Sequence, residues 1–318
     1  MANIYTVEKN NDHADWLNRR DTGIGGSDAP VIMGTSLWRS PRMLWLEKTG
    51  RVPRKDISDV ACVRWGTLLE SPIFDYVKSI HPEWRLTRRN WTYRSKARPW
   101  AIANIDGEIV DENGRHGVLE IKTTNAFAAS DWESSVPDYY MPQPLHYLSV
   151  TGWDFMCVCV LIGGSDYREF IIERDETAID EVVAAVDAFW QNNVQNDIEP
   201  TPTHLDVDSP DLHKGPDADE SVLDLDADAS ESAHKLMRVK DEMDALTRER
   251  KRLTAELLAA MGDHTHACAH TSVGTTYNVT ARYSNRKSVD YKAYAADHPG
   301  CFDDYTSTKR TFAGVTIS

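Results

Sequence analysis

The chain has 318 residues, with 35 Lys+Arg against 50 Asp+Glu for a formal charge of −15, 41% hydrophobic residues, 10 Trp and 5 Cys. That length suits one large domain with a small appendage, or two modest domains. The longest apolar run, 155–163, is too short to cross a bilayer, and the opening MANIYTVEKNNDHADW lacks the basic-then-apolar order of a signal peptide, so a cytoplasmic protein with no membrane partner is expected. The cysteines, at 62, 157, 159, 268 and 301, give no CxxC spacing and no disulfide framework, and read as reduced core residues. The average charge hides a division. Residues 1–125 carry 19 basic and 16 acidic side chains, residues 126–230 carry 3 and 23, and residues 231–318 carry 13 and 11. The global acidity therefore says little about what the mildly basic first third binds.

In chain order, GIGGSDAPVIMG (23–34) predicts a glycine-rich turn feeding a short helix, with Ser27 or Asp28 as N-cap, Pro30 in the first turn and Gly34 as the stop. Helices are expected over 41–48 and about 60–80, where apolar residues recur at helical spacing and Pro82 lies just beyond. NWTYR, WAIANIDGEIV and GVLEIKT alternate and predict a β-meander. A helix follows near 137–150, and 155–162 has the length and continuous apolarity of a buried strand with 168–174 pairing beside it. Residues 177–196 form an amphipathic helix ended by Pro200. The first domain is thus placed at 1–200. Four prolines and an aspartate run make 201–230 an acidic linker. The remainder, 231–318, holds one long helix with a heptad-like seam (236, 243, 250, 257 and 239, 246, 253, 260), a hairpin and a short helix near Tyr291. His264, His266, Cys268 and His270 alternate there, but four ligands along one strand span too far for one tetrahedral zinc.

The chemistry concentrates around Asp106 and Glu120-Ile121-Lys122. Period-2 geometry puts Glu120 and Lys122 on one strand face, and a neighbouring strand can bring Asp106 to the same point. Two converging carboxylates can hold Mg²⁺, and a lysine beside them can orient or deprotonate a water, which is the equipment of phosphodiester hydrolysis. Alone, the pattern is also that of an edge strand with solvated charges. Arg19, Arg20 and Ser27 beside the GIGGSDAP turn make an anion site suited to phosphate. Glu70 on the third helix can add a carboxylate. The stretch WRLTRRNWTYRSKARPW (84–100), with Arg88, Arg89, Arg94 and Trp91, suits a DNA groove through arginine–phosphate contacts and aromatic stacking, or else is a hairpin with ordinary aromatic packing.

Five ordered blocks, IGGSDAPVIMGTSLWRSPRMLWLEKTG, WGTLLE, ANIDGEI, VLEIKTT and YYMPQPLHYLSVTG, together resemble the YqaJ/lambda-exonuclease family of viral recombination nucleases, within the PD-(D/E)XK superfamily, over about residues 19–200. The resemblance implies an α/β, restriction-endonuclease-like core, a mixed central sheet flanked by helices, to which the long C-terminal helix and small α+β appendage are added. It implies that Glu70 is the helix carboxylate, that Asp106 and Glu120 ligate the metal with the Ile121 carbonyl, that Lys122 is the catalytic lysine, that Gln143 supports the attacking water, and that Arg20 and Ser27 hold a 5′-phosphate. One departure is Asn104, where the family has a small hydroxyl residue. The implied activity is a Mg²⁺-dependent exonuclease, with Mn²⁺ able to substitute. It digests one strand of a double-stranded DNA end from 5′ to 3′ and leaves a 3′ strand for a single-strand annealing recombinase partner. Relatives form ring-like trimers, so homo-oligomerisation is an accompanying expectation. Two rivals are an internally cutting nuclease of the same superfamily and a non-enzymatic acidic protein that mimics DNA or docks a basic partner.

Overall fold

The computed structural model describes residues 4–54, 56–209, 212, 222–283 and 291–301. The chain divides into two units, 1–213 and 214–318.

The first unit is built on a five-stranded sheet in the order β2-β5-β6-β7-β8, from Arg85–Thr87, Gly107–Val110, His116–Thr124, Phe155–Ile162 and Asp166–Glu173. All neighbours are antiparallel except β6 and β7, which run parallel and are joined through helix α5 (Pro142–Thr151). β7 explains its own apolar continuity, because both of its faces are covered. Phe155, Cys157 and Cys159 pack with Ile73, Phe74 and Val77 of α4 (Ala61–Ile80), while Met156, Val158, Val160 and Ile162 share the other core with Leu145, Leu148, Ile179 and Val182 of α5 and α6 (Glu176–Ala188). Cys157 and Cys159 are buried as expected, whereas Cys62 and Cys268 are exposed and Cys301 is half-buried, so the cysteines are not all core residues. Close approach of α4 to the sheet fixes Gly107: a Cβ there would lie 2.9 Å from the Phe74 ring and 3.3 Å from Leu119. This is the mixed sheet flanked by helices that the sequence implied.

Three details differ from the expectation. NWTYR and the segment after it do not continue one meander. β3 (Trp91–Ser95) and β4 (Ile102–Ala103) join β1 (Tyr5–Lys9) in a separate three-stranded sheet, and the chain crosses to the main sheet through 104–106, where Asn104 donates to Thr92 Oγ1 at 2.8 Å. Residues 201–209 belong to the first unit and are mostly exposed, but Asp206 and Ser209 are buried in it. Asp206, 1% exposed, takes the Thr203 N–H at 2.7 Å and the Ser40 hydroxyl at 2.5 Å, and so ties the segment to the start of α3 (Pro41–Lys48). A carboxylate with two donors can be buried where a bare one cannot. Helix α6 ends at Ala188 and continues to Gln195 as a π-helix.

In the second unit α7 spans Ala227–Met261, capped by Asp226 accepting from the Ala229 N–H at 2.8 Å. β9 (His266–His270) and β10 (Thr276–Thr280) form the expected hairpin, and α8 covers Tyr291–Asp297. Residues 210, 211 and 213–221 of the acidic segment lie outside the described residues.

Candidate active site

The site exists because β6 outruns β5. The last β5–β6 pair is Gly107 with Leu119, yet β6 continues beside β7 to Thr124, so its other edge is left open from Glu120 onward. The Ile121 N–H on that edge is taken by Asp106 Oδ2 at 2.7 Å. Asp106 therefore sits one residue before β5, not within a strand as expected, and its side chain stands in for the missing strand partner. The N–H and C=O of one strand residue point the same way, so the Ile121 carbonyl also faces this opening.

Alternation along β6 turns Glu120 and Lys122 toward α5, on the face opposite Leu119. There Lys122 Nζ donates to Glu120 Oε1 at 2.7 Å and to Gln143 Oε1 at 2.9 Å, and Gln143 Nε2 donates to the same Glu120 oxygen at 2.6 Å. The other carboxylate oxygen, Glu120 Oε2, is buried with no hydrogen-bond partner, in a residue only 5% exposed. Glu70, Asp106, Glu120, Ile121 and Lys122 together line an open cleft of about 370 Å³, with Val63 and Gly66 of α4 opposite. Glu70 is held by an ion pair with Arg88.

The electrostatics are those of a site short of positive charge. Burial, then Glu120 and Glu70, push the Asp106 carboxyl well above its ordinary range. Burial, less the effect of Arg88, also raises Glu70. For Lys122 burial acts downward, but Glu120 and Asp106 outweigh it and hold the ammonium. Among the described residues no three His, Cys, Asp or Glu side chains converge on one point. Mg²⁺ does not require three, since it keeps several waters and commonly takes one or two carboxylates. An orphaned carboxylate oxygen, a second carboxylate with one oxygen engaged and a carbonyl on an open strand edge fit such an ion.

Arg20 and Ser27 are also brought together, Arg20 Nη2 donating to Ser27 Oγ at 2.5 Å. The helix after them, α2, is only Ala29–Ile32, and Asp28 does not cap it. Its carboxylate, 0% exposed, accepts from the Gly25 N–H at 3.1 Å and pairs with Arg39 at 2.5 Å and Lys48 at 3.1 Å. Burial acts to raise Asp28, but Lys48, Arg39 and Arg20 together hold it well below the usual carboxylate range. The positive charge around this turn thus comes from side-chain cations, not from the helix start that the sequence suggested. Burial lowers both Arg20 and Lys48, with Asp28 opposing.

Tyr147 joins the two sites and was missed in the sequence, although its spacing from Gln143 on α5 places it on the same face. It accepts from Gln143 Nε2 at 3.1 Å, while its ring lies where a Cβ on Gly26 would be, 2.3 Å away, so position 26 has room for glycine alone. Burial, then Glu120 and Asp106, raise the Tyr147 phenol far above its ordinary value and keep it neutral. Lys48, Arg39 and the role of Asp28 were missed too, because they meet only in three dimensions.

The expected DNA-binding side chains fall into separate small groups, each engaged with protein neighbours. Arg19 and Arg94 both pair with Glu8. Arg89 approaches Glu108 at 3.4 Å and lies over the Trp91 ring at 4.3 Å. Trp91 is half-buried against the core, so its ring serves packing.

The YqaJ-like viral recombinase domain matches residues 15–154. The YqaJ protein of Bacillus subtilis (strain 168) is 32% identical over 254 residues, 78% of this chain and 78% of that protein. Two solved structures are similar in fold. An alkaline exonuclease (LHK-Exo) from Laribacter hongkongensis is 20% identical over 63% of this chain and 100% of its own, with a TM-score of 0.48. A phage-related exonuclease from Haemophilus somnus 129PT is 12% identical over 55% of this chain and 94% of its own, with a TM-score of 0.43. From the extent of the match to the Bacillus protein, this chain belongs to the YqaJ-like viral recombinase family.

Proposed function

We propose that this protein is a Mg²⁺-dependent exonuclease that degrades one strand of a DNA duplex from a 5′ end and leaves a 3′ single strand. The observation that carries it is the open edge of β6, where Asp106, the buried unpartnered Glu120 Oε2 and the Ile121 carbonyl face one cleft beside Lys122 and Gln143. An ion held by Asp106, Glu120 and the Ile121 carbonyl would polarise the scissile phosphate and lower the pKa of a water. The chain's own groups do the rest. Gln143 and Lys122 form one hydrogen-bonded unit with Glu120, so they can orient a water for in-line attack, and the Lys122 ammonium stabilises charge developing on the phosphoryl oxygens. Glu70, released from Arg88, adds a further acceptor on the α4 wall. Arg20 and Ser27 grip the terminal 5′-phosphate, and Arg88 and Arg89 meet the backbone of the duplex.

Uptake of the 3′ strand by an annealing protein and assembly into a ring of copies belong to the same reading, on the strength of the family. Among the described residues no helix is long and apolar enough to cross a membrane. The test uses linear duplex with and without 5′-phosphate, and closed circular duplex, in Mg²⁺, in Mn²⁺ and with chelator. Mononucleotide release from the linear 5′-phosphorylated duplex, abolished by chelator and absent on circles, is expected. Cutting of closed circles would replace the exonuclease with an internally cutting enzyme.

A further inference from the structure

Trp38 lies one aromatic ring away from this site, against Tyr140. Its indole is 65% exposed, although a tryptophan ring is among the most favourable groups to bury. It is nevertheless braced. Tyr139 meets it edge-on, with centroids 5.5 Å apart at 89°, and Tyr140 lies against it at 5.7 Å and 37°. Tyr139 is fixed by donating to Asp131 at 3.0 Å, and Tyr140 packs on the buried Trp132 at 5.6 Å. An exposed ring so held has lost its freedom without gaining burial, which favours binding a flat partner.

Position decides what the partner is. Lys122 Nζ lies over the Tyr140 ring at 5.0 Å, so the aromatic group borders the cleft. On its other side, the residue after Trp38 is Arg39, which pairs with Asp28 in the cluster behind Arg20 and Ser27. Trp38 is therefore linked through Tyr140 to the lysine assigned to the scissile phosphate, and through its chain neighbour Arg39 to the cluster behind the groups assigned to the terminal phosphate. The 5′-terminal nucleotide is the unit that spans these two phosphates, and its unpaired base projects from the sugar that joins them.

We infer that Trp38, braced by Tyr139 and Tyr140, is a stacking site for the unpaired base of the 5′-terminal nucleotide. This rests on the nuclease reading for the identity of the two phosphate positions. Stacking on an aromatic face is tolerant of base identity, so the site helps draw the end out of the duplex without imposing sequence.

The test measures binding of the full-length protein to 5′-phosphorylated duplex by fluorescence anisotropy, with Ca²⁺ replacing Mg²⁺ to slow cleavage. The 5′-terminal nucleotide is either normal or abasic. The parent is expected to prefer the base-bearing end by about tenfold, the scale of one base–aromatic stack. Trp38→Phe keeps most of that preference. Trp38→Ala loses it while binding the abasic end as the parent does, which also shows that the variant is folded. A parent indifferent to the base, a Trp38→Ala protein that keeps the preference, or an equal loss on both ends overturns the stacking site. Cleavage in Mg²⁺ is scored separately. A parent that shows the base preference but releases no nucleotide refutes the nuclease reading and leaves the stacking site standing.

Discussion

Replacing Asp28 with Asn isolates the electrostatics of the Arg20–Asp28–Lys48 cluster from those of the cleft around Glu120. Asparagine has nearly the same shape and can still accept the Gly25 N–H, so the perturbation is the loss of one buried negative charge among several cations. Lys48 feels it most. Its side chain is 1% exposed, and Asp28 is its ionic partner among the described residues, although its ammonium also donates to the Arg20 and Gly23 carbonyls at 2.6 Å each. Arg39 keeps Glu47 at 2.7 Å. Breaking a buried pair by removing one partner costs about 3–5 kcal/mol, and the two carbonyls and Glu47 that remain place Asp28→Asn at the lower end, about 3 kcal/mol. Urea unfolding at neutral pH, followed by tryptophan fluorescence, measures it. Because the folded carboxyl is depressed, its stabilisation is complete above the unfolded-state pKa of about 4 and is lost as pH falls below that. The parent should therefore show an acid limb there that the variant lacks in part. A loss under about 1 kcal/mol, or identical acid limbs, refutes the claim that Asp28 neutralises a buried cationic cluster.

Four further outcomes are expected. Glu120→Gln and Lys122→Met should each lower cleavage about a hundredfold or more in protein that still folds, as for parts acting as a unit; a folded Lys122→Met protein cleaving at the parental rate removes lysine from the mechanism. Arg20→Ala should reduce the preference for 5′-phosphorylated over 5′-hydroxyl ends by about 1–3 kcal/mol, read from initial rates on both duplexes, and undiminished preference would mean the phosphate is held elsewhere. Gly26→Ala pushes a methyl into the Tyr147 ring and should cost about 1–3 kcal/mol in the same unfolding assay, an outcome that a neutral variant would contradict. His146 is buried, its Nε2 within 3.1 Å of the Ile24 and Ile102 carbonyls, and burial first of all lowers its pKa to about 4. The unfolded chain binds this proton more readily, so stability is complete above about pH 6.5 and falls by about 3 kcal/mol toward pH 4; a His146→Gln protein with the parental pH profile in that window would rule out His146 as the cause.

Much of this molecule was legible locally. The helix expected over 41–48 is α3, and Ser40 caps it through the Met43 N–H at 2.9 Å, a local signal of the kind a sequence carries. The apolar run of β7 announced a strand covered on both sides, and its pleat then divided Cys157 from Val158 between two cores. The shared face of Glu120 and Lys122 followed from the strand period, and the five ordered blocks pointed to the family. Segments whose partners lie far away in sequence were harder to place. WTYR alternates like any strand, and nothing within it tells which of two sheets it joins. The acidic stretch after Pro200 reads as unpacked, yet Asp206 is buried because Ser40 and Thr203 supply donors.

Caps, periods and turn residues act over a few positions, so most elements and the inventory of reactive groups can be read from the chain. Tertiary structure alone decided how those groups meet. Asp106 reaches Ile121 because the β5–β6 register ends at Leu119 and leaves an N–H to satisfy. Asp28 becomes a charge hub because α3 brings Lys48 against the turn. Tyr147 bridges the two sites because α5 passes over Gly26 closely enough to exclude any side chain there. Each of these depends on strand register or helix approach, which long-range packing sets and local sequence leaves open.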